Sequence, residues 1–369
     1  MKKKLLAVCL MMVCVLMLAG CGSSAPVKEL NMYNWGEYMA DGTNGSMDAI
    51  SAFEDWYAET YGEKVHVNYT TFSTNEDLYN KLAMGAVSYD LIIPSDYMVA
   101  RMREEGMLLP LNFDNIPNYQ YISEDFHGLY YDPEDSYSIP YAYGMVGVIY
   151  DANKVDPADV GGWDLMWNEK YADSILQYNN SRDAFGTAMY QLGIDVNTSD
   201  PAEWNRAYEL LKQQKPMVKS YVMDEIYNLM QSGEASVASY YVGDYFLMQE
   251  DQAEHIDLQF YYPEPTNFFV DAMCIPKGAQ NKELAEIFMN FLLSEEIALA
   301  NARYIYCPMP NRLVYENQAY IDEVGPEAME IMYPQLGKFF ELYNQYAYRN
   351  LPQEQLDQLN TLWENLKIG

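Results

Sequence analysis

Tyr89-Asp90-Leu91-Ile92-Ile93-Pro94-Ser95-Asp96-Tyr97 gives the clearest indication of the fold of this 369-residue chain. The apolar residues 91–93 are typical of a short buried strand, and the residues that follow predict a turn into a helix ending near Gly106. A buried strand that leads directly into a helix is the repeating unit of α/β proteins. The stretch therefore predicts a sheet covered by helices.

The residues before this stretch follow the same order. Residues 30–34 and 64–72 are predicted strands, and residues 47–61 are a predicted amphipathic helix. Ser73-Thr74-Asn75-Glu76 is typical of a capping box that begins a further helix. This alternation predicts a mostly parallel sheet with helices on both faces.

The central part of the chain repeats the pattern. About 350 mature residues exceed what one hydrophobic core can accommodate, so we expect two lobes. Residues 137–141 and 147–150 are strand-like, and we predict that they pass from one lobe to the other. Further predicted helices cover residues 181–192, 201–214, 223–232, 283–293 and 295–303, and further predicted strands cover residues 235–241 and 268–275.

The first residues have the composition of a secretory signal. Three lysines at 2–4 precede an apolar stretch at 5–18, which predicts a signal peptide over residues 1–20. Leu18-Ala19-Gly20-Cys21 resembles the lipobox of bacterial lipoproteins, which implies a lipidated Cys21 and a tether over residues 21–27. The alternative is an ordinary signal peptide with a chance cysteine. The lipid would hold the protein on the extracellular face of the cell membrane, or in the periplasm of a Gram-negative source.

The charge of the chain excludes one class of partner. Acidic residues number 54 and basic residues 22, which gives a net charge of −32, and loss of three signal-peptide lysines changes this to −35. Nucleic acids require a basic surface, so we expect no nucleic-acid partner. An acidic surface attracts cations, although it also serves solubility alone. Cys274 and Cys307 are expected to be structural, and the sequence leaves open whether they pair.

Motifs of catalytic and cofactor sites are absent from the sequence. It has no Gly-rich phosphate loop, no His-Glu-x-x-His and no Gly-x-Ser-x-Gly. The three histidines, His66, His127 and His255, lack metal-ligand spacing. We therefore expect no cofactor, no metal and no enzymatic activity. A surface carbohydrate-active hydrolase with paired carboxylates is the alternative, because the sequence does not give the distance between acids.

Residues 33–38, Tyr-Asn-Trp-Gly-Glu-Tyr, place aromatic rings on both sides of one carboxylate at the end of a predicted strand. An aromatic face attracts a cation, and a carboxylate accepts several N–H donors, so the motif suits a primary ammonium group. The motif and residues 95–97 both follow predicted strands, where ligands bind in parallel sheets. The alternative is a core aromatic beside a solvated acid.

Four segments, taken together, resemble the spermidine/putrescine-binding proteins of ABC transporters. They are residues 33–38 (YNWGEY), 89–97 (YDLIIPSDY), 137–141 (YSIPY) and 270–276 (VDAMCIP). The resemblance runs in order from about residue 30 to residue 311. It implies a monomeric, non-enzymatic protein that closes over a polyamine, putrescine or spermidine, and delivers it to the permease subunits of an ABC transporter.

The resemblance also implies a two-lobed, periplasmic-binding-protein-like α/β fold. Each lobe is expected to be a mixed, mostly parallel sheet flanked by helices, and crossing strands join the lobes at a hinge. Lobe 1 is expected to comprise residues 28–144 and 271–315, and lobe 2 residues 145–270 and 316–369.

Carried over residue by residue, the family's site implies a ligand-binding set of aromatic, acidic and hydroxyl side chains. These are Trp35, Glu37, Tyr38, Ser95, Tyr97, Asp183, Tyr241, Asp244, Phe269 and Asp271. The acids suit the ammonium groups of a polyamine, and the rings suit its methylene chain. Asp271 has independent support, because an acid inside an apolar strand requires a partner.

The chain departs from the family's pattern at four positions. Asn180 stands where an Asp is frequent, and Cys307 stands where a Tyr is usual. Tyr241 and Phe269 take positions usually held by Trp, which weakens cation–π attraction. These departures leave the choice of polyamine open, and they leave a second possibility, the same fold binding another small cationic ligand.

Overall fold

The structure is a computed structural model that describes residues 27–85, 87–250, 252–333 and 336–368. The predicted signal peptide, Cys21 and all of the predicted tether except Val27 lie outside the described residues. The strands are β1 (Lys28–Trp35), β2 (Val65–Phe72), β3 (Leu91–Ile92), β4 (Ser138–Asp151), β5 (Ile175–Tyr178), β6 (Val218–Val222), β7 (Val237–Tyr241), β8 (Leu258–Tyr261) and β9 (Phe268–Cys274).

The α-helices follow most of these strands or close the chain. They are α1 (Ala49–Tyr61), α2 (Asn75–Ala83), α3 (Asp96–Glu104), α4 (Ser181–Gln191), α5 (Pro201–Gln214), α6 (Ile226–Gln231), α7 (Val242–Glu250), α8 (Lys282–Leu292), α9 (Glu295–Ile305), α10 (Arg312–Tyr315), α11 (Gln318–Val324), α12 (Pro326–Met332), α13 (Leu336–Tyr346) and α14 (Gln353–Ile368). None of the helices in the described part of the chain has the length and apolar character needed to cross a bilayer.

One mixed sheet runs through both lobes in the order β2-β1-β3-β9-β4-β7-β5-β6, with β8 beside β4. In lobe 1, β1 is parallel to β2 and β3, and in lobe 2, β5 is parallel to β6 and β7. The antiparallel pairs involve β4 and β9. The predicted two-lobed α/β fold is therefore confirmed, with parallel pairing inside each lobe and antiparallel pairing at the crossing strands.

Strand β4 is the first crossing between the lobes. Its residues 138–145 pair with β9, and its residues 146–150 pair with β7. The two halves were predicted as separate strands, and they form one strand of 14 residues that is buried along nearly its whole length. A continuous strand that runs through both lobes is typical of a hinge, because small changes in its twist can rotate one lobe against the other.

Two hydrophobic cores mark the lobes. Tyr261 packs against the second core and Phe268 lies in the first, so the second crossing falls between them. Tyr320 and Phe339 lie in the first core, whereas Tyr348 lies in the second. We therefore propose that residues 316–347, which the sequence analysis placed in lobe 2, belong to lobe 1, with the third crossing near residue 347. The division into lobes is otherwise a proposal.

Local signals explain several helix ends. The Asp48 carboxylate accepts hydrogen bonds from the amides of Ile50 and Ser51 and begins α1. Helix α2 begins one residue later than the predicted capping box implied: Thr74 is the cap, and its hydroxyl accepts from the Asp77 amide at 3.1 Å.

The sequence analysis missed β5, β6, β8, α7 and the helices after residue 311. Strand β5 has only four residues, and the Val-Lys-Ser-Tyr-Val sequence of β6 lacks an apolar alternation.

Cys274 and Cys307 are both free and buried, so the structure contains no disulfide between them. Cys274 is the last residue of β9 and lies inside the first core. Cys307 lies just after α9, beside the cleft described below.

Gly147 in β4 offers a test of how closely β4 packs on β8. A Cβ at this position would overlap Phe260 Cζ and would lie 2.7 Å from the Tyr261 carbonyl oxygen. Since the strand backbone cannot give way, Gly147→Ala is expected to lower the free energy of unfolding by about 1–3 kcal/mol. Chemical denaturation measures this change.

Gly337→Ala is the matched control, because Gly337 is an exposed residue of α13 and, apart from its chain neighbours and its own helix backbone, no atom of the described residues lies within 4 Å of the position that an added methyl group would take. That substitution is expected to raise the free energy of unfolding by about 0.5–1 kcal/mol, as Ala favours the helix. Equal stability of Gly147→Ala and the unchanged protein would contradict the close packing of β4 on β8.

Candidate functional site

A cleft between the lobes has an empty volume of about 850 Å³, part of which opens to solvent. Residues at the carboxyl ends of the parallel strands of lobe 1 line it: Trp35, Gly36 and Tyr38 at the end of β1, residues 73–76 after β2 and residues 95–97 after β3. Lobe 2 contributes residues that follow β5, β6 and β7 in the same way. The carboxyl ends of six parallel strands thus face one space, as expected for a ligand site of such sheets.

Asp271 lies in β9 on the floor of the cleft and is buried. Its Oδ2 accepts a hydrogen bond from the Tyr38 hydroxyl at 2.6 Å, and its backbone pairs with Ser95. Burial raises the pKa of Asp271 to about 6, although the hydrogen bonds from Tyr38 and Ser95 oppose this shift. Its Oδ1 is buried and has no hydrogen-bond partner among the described residues. A buried carboxylate oxygen of this kind is free to accept a hydrogen bond from a donor that enters the cleft.

Asp183 occupies the first turn of α4 on the opposite lobe and is also buried. Its Oδ2 accepts from the Tyr241 hydroxyl and from Asn180 Nδ2, both at 2.7 Å. Burial raises the pKa of Asp183. Asn180, which stands where an Asp is frequent, caps α4 and accepts from the Asp183 amide at 2.8 Å. The neutral amide therefore orients the carboxylate of Asp183 rather than adding a second charge beside it.

Asp244 occupies the first turn of α7, and its Oδ1 accepts a short hydrogen bond from the Tyr227 hydroxyl. Burial raises the pKa of Asp244 to about 7, with smaller contributions from the negative charges of Asp224 and Glu37. Asp224 is a solvent-accessible acid at the mouth of the cleft, opposite Gly36 of lobe 1. Desolvation by the surrounding protein, together with the negative charge of Glu225, raises the pKa of Asp224. A second acidic centre therefore lies on lobe 2, separate from Asp183.

Aromatic side chains form the walls of the cleft. The Trp35 ring packs on Phe72 with centroids 4.4 Å apart, and the ring of Tyr241 meets Phe269 edge-on at 5.5 Å. Tyr38 and Tyr97 complete the walls from lobe 1. These rings come from both lobes, so a ligand held between them would hold the lobes together.

The ionisable side chains that line the cleft are acidic. Six carboxyl groups line it, and among the described lining residues none is Lys or Arg: Glu76, Asp96, Asp183, Asp224, Asp244 and Asp271. The nearby Arg182 is turned away, because its guanidinium donates to the Val196 carbonyl and the Asn197 side chain and stacks on Tyr348 at 4.3 Å. Acids of this number without basic partners indicate a cationic ligand, since buried carboxylates are costly unless paired.

Comparisons with known proteins agree with this geometry. Residues 48–324 match the family described as bacterial extracellular solute-binding protein. The chain belongs to this family. A spermidine/putrescine-binding periplasmic protein of Escherichia coli is 33% identical to it over 287 residues, which cover 77% of this chain and 78% of that protein.

Solved structures of solute-binding proteins are also similar to this chain. This solute-binding protein resembles the spermidine/putrescine substrate-binding protein PotD of Streptococcus pneumoniae with a TM-score of 0.71 and 28% identity. It resembles the TpPotD lipoprotein of Treponema pallidum with a TM-score of 0.75 and 25% identity. The comparisons cover 92% and 93% of this chain and 99% and 100% of the two relatives. The resemblance to spermidine/putrescine-binding proteins is thereby confirmed.

The structure of the solute-binding protein brings nine of the ten predicted site residues to one cleft. Glu37 is the exception. It is exposed, adopts a positive φ of 47°, and accepts a hydrogen bond from the Tyr304 hydroxyl at 2.7 Å in a neighbouring groove. Its side chain therefore lies in a different groove from those of Trp35 and Tyr38. The ligand roles of all ten residues are predictions.

The sequence analysis missed several cleft residues, of which Glu76 is the most informative. Its Oε1 accepts from the Tyr97 hydroxyl at 3.0 Å, and burial raises its pKa. Asp96 was missed as well: its Oδ2 accepts from the Tyr343 hydroxyl at 2.9 Å, and burial raises its pKa to about 7. The position of Glu76 at the cleft could have been predicted, because Glu76 follows a predicted strand in the same way as Trp35 and Ser95 do.

Among the described residues, no group of three or more His, Cys, Asp or Glu side chains is arranged to hold a metal ion.

Proposed function

We propose that this solute-binding protein captures a polyamine, putrescine or spermidine, in the cleft between its lobes. The observation that carries the proposal is the pairing of aromatic walls with six carboxyl groups and no basic residue among the described lining residues. A polyamine is a methylene chain with ammonium groups, and this lining matches both parts. The names of the relatives, which bind spermidine and putrescine, support the same ligand class.

The acids set the choice of polyamine. Each methylene group that is buried against the aromatic walls contributes about 0.8 kcal/mol to the binding free energy, wherever it lies along them. The rings therefore distinguish polyamines of different chain length poorly. A carboxylate left without an ammonium partner is costly, so the spacing of Asp183, Asp271 and Asp244 decides which amines fit.

Capture is proposed to serve transport. The protein closes at its crossing strands, acts as a monomer without cofactor or catalysis, and delivers the polyamine to the permease subunits of an ABC transporter. A lipid on Cys21 holds it at the outer face of the membrane. The lipobox-like residues 18–21 support this anchor, as does the naming of the Treponema pallidum relative as a lipoprotein.

Titration calorimetry of the purified protein with putrescine, cadaverine, spermidine and spermine tests the proposal. Glycine betaine and maltose serve as controls for a quaternary cation and a neutral sugar. We expect one-site binding of one polyamine, with the others weaker and both controls silent. Binding of glycine betaine alone would favour another cationic ligand, and silence with all four polyamines would contradict the proposal.

A further inference from the structure

Asn267 is a buried residue of the cleft that the sequence analysis did not identify. It directly precedes β9, is 3% exposed and lines the cleft between the lobes. Among the described residues that line the cleft, only Asn267 and Asp271 have a buried side-chain oxygen without a hydrogen-bond partner. A buried acceptor without a partner costs free energy, so an oxygen of this kind in a ligand cleft points to a donor on the ligand.

The backbone of β9 places Asn267 in line with Asp271. The Asn267 carbonyl accepts from the Val146 amide at 3.0 Å, which extends the pairing of β4 with β9 by one residue. Side chains alternate between the two faces of a strand, so Asn267, Phe269 and Asp271 share one face. All three line the cleft, whereas the two residues between them lie in the first core. The cleft face of β9 therefore presents an amide, an aromatic ring and a carboxylate in that order.

The spacing of these three side chains matches one length of polyamine. Asn267 and Asp271 are four residues apart, which is about 13 Å along a strand, and Phe269 lies midway between them. An extended chain of single bonds advances about 1.2 Å per bond, so the nitrogens of putrescine lie about 6 Å apart and the terminal nitrogens of spermidine about 11 Å apart. A diamine held at Asp271 therefore ends beside Phe269. A triamine held there brings its far nitrogen within a hydrogen-bond length, about 3 Å, of Asn267.

We propose that Asn267 is a specificity-determining residue, whose Oδ1 accepts a hydrogen bond from the far ammonium group of a triamine such as spermidine. This inference rests on the proposed capture of a polyamine, and it names the triamine as the preferred ligand. An amide oxygen accepts an N–H group without adding a further negative charge to a cleft that already has six carboxyl groups. A diamine leaves this oxygen without a partner and gains nothing from it.

Titration calorimetry of Asn267→Leu with spermidine and putrescine tests the assignment. Leucine has a similar volume and no polar atom in its side chain. We expect the affinity for spermidine to fall by about ten- to a hundredfold and the affinity for putrescine to stay within about twofold, because only the triamine reaches residue 267. An equal loss for both ligands, or no loss for either, would overturn the assignment.

The stability of the unliganded variant separates a role in binding from a role in folding. Because Asn267 Oδ1 has no partner to lose, Asn267→Leu is expected to keep or raise the free energy of unfolding. Thr266→Val is the matched control: the neighbouring Thr266 is equally buried, does not line the cleft, and donates from its hydroxyl to the Val146 carbonyl at 2.6 Å. It is expected to lower the free energy of unfolding and to keep the preference for spermidine. A loss of stability in Asn267→Leu as large as that in Thr266→Val would mean a structural role and overturn the assignment.

Asn267→Asp gives an outcome that misfolding cannot produce. The shape of the side chain is kept, and a carboxylate forms a stronger, charge-assisted hydrogen bond with an ammonium group than an amide does. Near pH 8, this variant is expected to raise the ratio of spermidine to putrescine affinity several-fold, and an unchanged or lower ratio would overturn the assignment. Binding of neither polyamine by the unchanged protein would overturn the proposed function itself. Equal binding of both by the unchanged protein would overturn only the preference for a triamine.

Discussion

Asp271→Ala is expected to weaken polyamine binding by about 2–5 kcal/mol, which corresponds to a loss of affinity between about 30-fold and a few thousandfold. Asp271 is buried, and its Oδ1 has no hydrogen-bond partner in the described part of the chain. Removing the carboxylate removes the acceptor for one ammonium group and leaves that cation facing the apolar strand β9. It also leaves the Tyr38 hydroxyl without the oxygen to which it donates at 2.6 Å.

Asp271→Asn separates these two effects. An asparagine keeps the shape of the side chain and an oxygen that can accept from Tyr38, but it has no negative charge. If charge dominates, Asn and Ala weaken binding to a similar extent, and if the orientation of Tyr38 dominates, Asn retains most of the affinity. Calorimetry gives the dissociation constants, and denaturation of the unliganded variants reports their folding.

Asp125→Asn is the control, because Asp125 is an exposed aspartate of the same lobe that does not line the cleft. It makes the same change in net charge and is expected to leave affinity nearly unchanged. Full affinity of Asp271→Ala would remove Asp271 from the site. An equal loss in both variants would mean that the overall charge, rather than a direct contact, governs binding.

Much of the fold was predictable because it depends on short-range patterns. The run 91–93 followed by Pro-Ser-Asp predicted β3 and α3, and similar patterns predicted β1, α1 and β2. The carboxyl-end rule then located the site at residues 35–38 and 95–97. Packing between distant segments was not predictable: Tyr320 and Phe339 join lobe 1 through contacts with residues far away in the sequence.

The residues of the candidate site were likewise predictable only where the local sequence indicated them. Asp271 could be predicted because an acid in an apolar strand is conspicuous. Glu76 was interpreted only as part of a capping box, and its role at the cleft depends on the Tyr97 hydroxyl of α3, which donates to it. Asp224 follows β6, a strand that the sequence analysis missed. Glu37 lies in the motif that first indicated an ammonium site, yet its carboxylate accepts from the Tyr304 hydroxyl in a neighbouring groove, and that contact joins residues far apart in the sequence.

Polyamine affinity is expected to fall steeply as the solution becomes acidic. Burial raises the pKa of Asp271 to about 6 and that of Asp244 to about 7 in the unliganded protein. An ammonium group beside each carboxylate favours the ionised form, so the pKa values in the complex are lower than in the free protein. Binding is therefore strongest above pH 7 and weakens as the pH falls through 7 and 6. Between about pH 8 and 5 the two groups together predict a loss on the order of a hundred- to a thousandfold.

The same linkage predicts that binding near pH 6.5 releases protons. Calorimetry in two buffers of different ionisation enthalpy detects the release as a difference in apparent heat. Asp244→Asn, which removes the group with the higher pKa, is expected to flatten the pH dependence between about 8 and 6.5. Retention of the steep dependence in that variant would contradict the assignment to Asp244.

Acid unfolding would not account for this loss of affinity. A carboxyl whose folded pKa lies above its unfolded value, about 3.9 for Asp, binds more protons in the folded state between these two values. Asp271 and Asp244 therefore make the unliganded protein more stable as the pH falls from about 7 towards 4, while they make the complex weaker. Thermal unfolding with and without spermidine at pH 7.5 and 5.5 distinguishes the two effects, because the stabilisation by ligand should shrink at pH 5.5. Stabilisation by ligand that is equal at both pH values would show that neither carboxylate titrates on binding.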